Sequence, residues 1–297
     1  MNKSRIRLIS IVTAVVMSLT MLSGCTEIIK REAERSARKE IESLEKEGAR
    51  KAKGKIEKLK KKYKNSKKGK KKGNIKKKAS SSKKKKLSSL KYKGHMIVKV
   101  NKNVPKFSKS LRKKKAVFTK YSEPDSMGRC RKVTALIGPE TLADEERGSI
   151  GMYKPTGWHT IRYDVVGKGS AGYLYNRCHL LAFCLNGNST NNEKNLITGT
   201  RQFNAGKESM LTYELETVKY IERTNNHVLY RVTPVFRKGE LVARGVHMEG
   251  YSIEDKGKGI KFNVFVHNHQ DGITIDYRTG ESRADNGEKG KGAVGGY

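Results

Sequence analysis

Ala171-Gly172-Tyr173-Leu174-Tyr175-Asn176-Arg177-Cys178-His179 runs an apolar, strand-like segment straight into an amide, an arginine, a thiol and a histidine. Further along, Asn195-Leu196-Ile197-Thr198-Gly199-Thr200-Arg201-Gln202-Phe203-Asn204 is rich in amides and leads into a helix. A histidine that can take a proton, an arginine that can meet a phosphate and an amide oxygen that can hold a hard cation are the minimum set for cutting a phosphodiester.

Outward from these two stretches, the chain reads as one folded unit. Met96–Val100, Val133–Ile137 and Ala171–Tyr175 are short strand candidates. Met210–Arg223 has Leu211, Leu215, Val218 and Ile221 near a 3.6-residue period and reads as a helix. Strand runs follow at Val228–Phe236, Leu241–Ser252 and Lys261–His267, with Lys238-Gly239 turning between the first two. Strands interrupted by one or two helices imply an α+β domain with a mainly antiparallel sheet. Its limits are expected near 94 and 284, with a flexible Gly- and Lys-rich tail over 285–297.

Charge divides the chain more sharply than hydropathy does. The net charge is +36, yet residues 51–120 hold 31 Lys and Arg against one acidic residue, Glu57. Residues 26–50 balance at seven basic and seven acidic, and residues 121–297 carry an excess of only three positive charges. Glu34 with Arg38 and Glu42 with Lys46 are spaced for salt pairs on a solvated helix within 26–50. The Lys-rich run over 51–93 cannot bury enough to offset its ordering entropy and reads as a disordered tether. Extended, the stretch from Cys25 to His95 would reach on the order of 200 Å.

Residues 1–25 read as an export signal: Lys3, Arg5 and Arg7 precede the apolar Leu8–Leu22. That core is shorter than the roughly 20 residues needed to span a bilayer. Its end, Leu22-Ser23-Gly24-Cys25, resembles a lipoprotein box, which implies lipidation at Cys25 and an extracytoplasmic protein anchored to the membrane. The alternative is a cleaved signal with an incidental cysteine. Three more cysteines remain, Cys130, Cys178 and Cys184. They allow at most one disulfide, with Cys130–Cys178 the pair to test first, and they also suit buried thiols.

The order and spacing of Asn176-Arg177-Cys178-His179 and Asn195 to Asn204 resemble the DNA/RNA non-specific endonucleases, the ββα-metal nucleases with an Asp-Arg-Gly-His signature, and within them the DNA-entry nuclease branch. The resemblance spans about residues 96–282 and takes in Pro155-Thr156-Gly157-Trp158 and Asn225–Pro234. It departs from the signature twice: Asn176 stands for Asp, and Cys178 for Gly or Ser. It implies a ββα-metal nuclease fold, Mg²⁺ as cofactor with Mn²⁺ as substitute, and a DNA substrate, with RNA a second one.

Under that resemblance His179 is the general base, since a neutral imidazole can take a proton from water. Asn204 is the metal ligand, because Mg²⁺ often takes only one or two protein oxygens; the competing role for it is a helix N-cap. Glu214 supports metal-bound water or the leaving group, which requires the backbone to turn near Gly206. Arg147, Arg177 and Arg201 are candidates for the phosphate, and each could instead be an ordinary ion-pairing arginine. Asn176 and Asn195 complete the substrate-binding set, with Asn195 orienting the active segment. His267-Asn268-His269 spells part of another nuclease motif and reads better as a polar strand end. The rival to an enzyme is a non-catalytic surface lipoprotein that binds DNA, anionic wall polymer or lipid headgroups through its lysines.

Overall fold

The computed structural model describes residues 86–167 and 172–292. The expected signal, Cys25, the charged helix over 26–50 and nearly all of the Lys-rich tether lie outside the described residues, as does the end of the tail.

Ten strands and four α-helices alternate along the described chain. In order they are β1 (Ile97–Lys99), α1 (Lys109–Arg112), β2 (Phe118–Tyr121), β3 (Val133–Ile137), β4 (Tyr175–His179), α2 (Phe183–Asn186), β5 (Leu196–Thr200), α3 (Arg201–Ala205), α4 (Met210–Thr224), β6 (Val228–Val235), β7 (Gly245–Ser252), β8 (Lys261–His267), β9 (Ile273–Ile275) and β10 (Ser282–Ala284). Six strands form one antiparallel sheet in the order β1-β8-β7-β6-β3-β2. Two separate antiparallel pairs, β4–β5 and β9–β10, complete the strands. The fold is α+β with an antiparallel sheet and helices.

The core explains the register. Ala135, Ile137, Val228, Tyr230, Val232, Val246, Met248, Val264 and Val266 of the large sheet join one apolar cluster with Cys178, Leu180, Ile197, Phe203, Met210 and Ile221. The hairpin and the helices after it are thus fastened to the sheet by apolar burial, worth about 1.5–3 kcal/mol per large side chain.

The strand expected over 171–175 forms later, at Tyr175–His179. Gly172 takes φ +77°, and the next residue, Tyr173, makes only an isolated bridge to Arg162. Asn176-Arg177-Cys178-His179 is therefore strand rather than the sequel to one. Its backbone pairs with Leu196–Thr200, every residue of which is buried. Likewise Leu241–Arg244 is not strand: the N–H groups of Leu241 and Val242 both donate to Tyr277 O at 3.0 Å, and β7 starts at Gly245.

The long helix α4 holds its expected place and buries Val218 and Ile221 as expected, with its inward face shifted off Leu211 and Leu215. Met210, Glu214, Thr217, Val218 and Ile221 are buried, whereas Leu211 and Leu215 are only half-buried. Thr217 tolerates burial because its hydroxyl donates to Tyr213 O at 2.7 Å. Asn225, at φ +53°, ends the helix and donates to Ile221 O at 2.8 Å.

Contacts of the folded unit extend past 94 and 284. Tyr92 stacks on His269 with centroids 3.8 Å apart, Arg237 donates to Ser88 O, and Lys291 exchanges backbone hydrogen bonds with Arg162. Cys130 and Cys178 are both buried thiols with no disulfide between them. The Cys130 thiol instead donates to Glu193 O and Leu196 O at 3.0 and 3.1 Å.

Candidate active site

β4, β5 and α3 form a compact ββα unit. Thr200, the last residue of β5, caps α3 by accepting from Phe203 N at 3.1 Å, so the strand passes into the helix without a loop. Phe203 is fully buried. A Cβ on Gly199 would lie 2.4 Å from Cys178 Sγ and 2.6 Å from the Phe203 ring, which shows how closely α3 sits on the hairpin.

His179 closes β4 and is 7% exposed. Its Nε2 lies 2.9 Å from Asn191 Oδ1, and its Nδ1 lies 3.3 Å from an Arg147 terminal nitrogen. Burial pushes its pKa down to about 4; the Asn191 hydrogen bond opposes that shift and the Arg147 charge adds to it. The ring is therefore neutral at pH 7, the form a general base requires.

Asn204 lies in the last turn of α3, away from its start, so the competing N-cap role falls to Thr200. Its side chain makes no hydrogen bond to any described residue, and neither does that of Arg201, three positions earlier on the same helix face. The chain leaves the helix at Gly206, where a Cβ would meet Gln202 O at 2.5 Å, and α4 begins four residues on. The helices are thus separate on either side of Gly206, and Glu214 lies in the second turn of α4.

The charged groups converge on Cys178. Burial raises its thiol pKa well above the ordinary value; the Glu214 charge raises it further, and the Arg201 and Arg147 charges oppose. Glu214, 8% exposed, also acts on the buried Tyr230 of β6. One buried atom of β4, Asn176 Oδ1, has no hydrogen-bond partner. Asn176 shares a face of the hairpin with Cys178 and Gly199, and that face meets α3.

Two expected substrate contacts take other positions. Arg177 donates from Nε to Tyr153 O at 2.5 Å and from a terminal nitrogen to Gly151 O at 2.7 Å, with its guanidinium 4.2 Å over Trp158. It fastens the 151–153 loop rather than presenting itself to a phosphate. Asn195 is fully buried and uses its whole amide: Oδ1 accepts from Leu181 N, and Nδ2 donates to Leu181 O and Thr190 O, all at 2.9 Å. It cannot touch a substrate. It holds the chain just after His179, which is the orienting part of its expected role.

His267-Asn268-His269 has no metal-binding geometry. His267 packs edge-on against Phe265 and Tyr92, and Asn268 is spent on Thr198 O, Ala243 O and Thr200 N. Among the described residues no three His, Cys, Asp or Glu side chains gather as a metal cluster. The donors present near α3 are instead an uncommitted amide, an orphaned amide oxygen and a buried carboxylate. That set fits an oxygen-seeking ion that keeps most of its waters, as Mg²⁺ does.

Missed in the sequence was the run Asn186-Gly187-Asn188-Ser189-Thr190-Asn191, from which Asn191 reaches His179. Its density of asparagines was the available signal.

An α+β domain with a neutral histidine on a hairpin, an open amide on the helix behind it and arginines alongside has the parts of a phosphodiester-cutting site. Residues 109–254 match the family of DNA/RNA non-specific endonucleases, so this part of the chain is similar to that family. The fold is similar to that of NucA from Streptococcus agalactiae with magnesium ion bound: identity is 25%, TM-score 0.56, and the match covers 63% of this chain and 86% of that one. The same NucA with no metal bound matches at 26% identity and TM-score 0.54, with the same coverage.

Proposed function

We propose that this protein is a metal-dependent, sequence-non-specific endonuclease that hydrolyses DNA, and RNA as a second substrate, within the DNA-entry branch of its family. The observations that carry the reading are a buried, neutral His179 at the end of β4 and an α3 on which the Arg201 and Asn204 side chains make no hydrogen bond to a described residue. The magnesium ion named for the similar NucA structure accords with it.

Asn204 would hold the ion, with Asn176 Oδ1 and Glu214 towards its waters; Mn²⁺ would substitute. When bound, the ion would neutralise charge on the phosphorane and the departing oxygen. His179 takes the proton of the attacking water as its oxygen bonds to phosphorus. The P–O3′ bond breaks, and the 3′ oxygen regains a proton from solvent, leaving a 5′-phosphate. Arg147 and Arg201 grip non-bridging oxygens of the phosphate. Affinity without base reading then comes from backbone contacts and counterion release.

We further propose an extracytoplasmic location through a lipid anchor on Cys25, with the Lys-rich segment gathering polyanions at the membrane. Plasmid nicking tests the enzyme. Wild type with Mg²⁺ should nick, EDTA should abolish nicking, and His179→Ala and Asn204→Ala should each lower the rate by about 10²-fold or more. Undiminished nicking by His179→Ala would overturn the mechanism.

A further inference from the structure

Beyond the residues that would meet substrate, a chain of asparagines runs from a surface loop to the imidazole. His179 Nε2 contacts Asn191 Oδ1 at 2.9 Å. Asn191 Nδ2 donates to Asn188 Oδ1 at 2.8 Å. Asn188 Oδ1 also accepts from Gly148 N at 2.9 Å, its Nδ2 donates to Glu146 O at 3.1 Å, and its backbone N–H donates to Glu145 Oε1 at 2.6 Å.

The polarity of this chain is set by backbone groups. Gly148 N–H can only donate and Glu146 O can only accept, so Asn188 can face them in one orientation. That turns Asn188 Oδ1 to Asn191 and obliges Asn191 to present Nδ2 there. Asn191 Oδ1 is then left for His179 and can only accept. Flipping Asn191 alone would set two oxygens against each other; flipping both would oppose like groups at Gly148 and Glu146.

We propose that Asn191, oriented by Asn188 and Glu145, is a positioning residue that fixes His179 as the Nε2–H tautomer, so that Nδ1 is the atom that takes the proton. The partner on the other side agrees. Arg147 can only donate, and it stands 3.3 Å from Nδ1, which must therefore carry the lone pair. Arg147 is exposed, so its guanidinium can move to a phosphate and uncover Nδ1 as substrate arrives.

Three further contacts hold the chain in place. Tyr153 donates its hydroxyl to Asn191 O at 2.9 Å, and Arg177 grips Tyr153 O. Gly187, at φ +56°, leaves room for Glu145, whose Oε1 would lie 2.6 Å from a Cβ there. Arg177 thus serves the base by way of Tyr153 and Asn191. A wrong tautomer removes a base while leaving the fold intact.

The inference rests on His179 being the base, but the tautomer can be read without activity. In ¹⁵N-histidine-labelled full-length chain, with the His179 signal identified by its loss in His179→Ala, wild type should show a protonated Nε2 and an unprotonated Nδ1. Asn191→Asp keeps an acceptor for Nε2 but loses the donor to Asn188, so Nε2 should stay protonated. Asn191→Leu should give mixed tautomers, and kcat on plasmid DNA should fall ~10²-fold with KM within about threefold. Asn188→Ala should move both readouts in the same direction. A protonated Nδ1 in wild type, or an unchanged tautomer and kcat in Asn191→Leu, would overturn the relay. If wild type showed the expected tautomer but did not cut DNA, the nuclease reading would fail while the relay stood. If Asn191→Leu cut DNA as fast as wild type while His179→Ala did not, the relay would fail and the nuclease would stand.

Discussion

At pH 7 the imidazole of His179 carries no charge, because burial, opposed by Asn191 and reinforced by Arg147, brings its pKa to about 4. The same shift has a stability consequence with a definite sign. An unfolded histidine titrates near 6.5, so as pH falls below that value the unfolded chain gains a proton that the folded one refuses. Stability therefore drops between about 6.5 and about 4, and the drop levels off below the folded pKa. His267, lowered to about 4 by burial and then by His269, acts in the same window. Thermal unfolding followed across pH should show this decline, and His179→Gln should flatten it by up to one proton's worth. An equal slope in the variant would mean that the ring is not desolvated in solution.

The histidine depends on how its elements are joined. β5 runs into α3 through the Thr200 cap, and Gly199 lets α3 lie on β4 because it has no side chain. Gly199→Ala would drive a methyl into Cys178 Sγ and the Phe203 ring, both fully buried. Overpacking of that kind costs about 1–3 kcal/mol. Denaturant unfolding should register the loss, and activity should fall as well, since α3 carries Asn204. The expected apolar stripe on α4 caught Val218 and Ile221 of the buried face but not Glu214 and Thr217, because periodicity counts side-chain polarity and cannot see polar groups turned inward. By contrast, β3 and β8 appear with their expected limits, Val133–Ile137 and Lys261–His267. β-Branched runs packed on a sheet announce themselves.

For the whole molecule, charge and catalysis occupy different parts of the chain. Residues 51–120 hold nearly all of the basic excess, and the candidate site lies beyond them. Deleting 51–85 should raise KM for DNA and flatten the dependence of binding on salt, while kcat at saturating substrate stays within about twofold of the full chain. A log–log salt titration measures this, and an unchanged slope would show that the lysines do not reach the substrate. Extending the deletion to 93 should also lower Tm, because Tyr92 would no longer stack on His269 or donate to Asp271 at 3.0 Å.

The sequence by itself determined the fold class, the nuclease resemblance and the candidates His179, Asn204 and Glu214, because residue types at fixed spacing carry that information locally. Only the tertiary structure decided that Arg177 grips Tyr153 O and Gly151 O, that Asn195 spends its amide on Leu181 and Thr190, that Cys130 and Cys178 are not bridged, and that Asn191 faces the imidazole. A hydrogen bond between side chains distant along the chain depends on where the backbone brings them. No spacing in the sequence encodes which carbonyl an arginine will find.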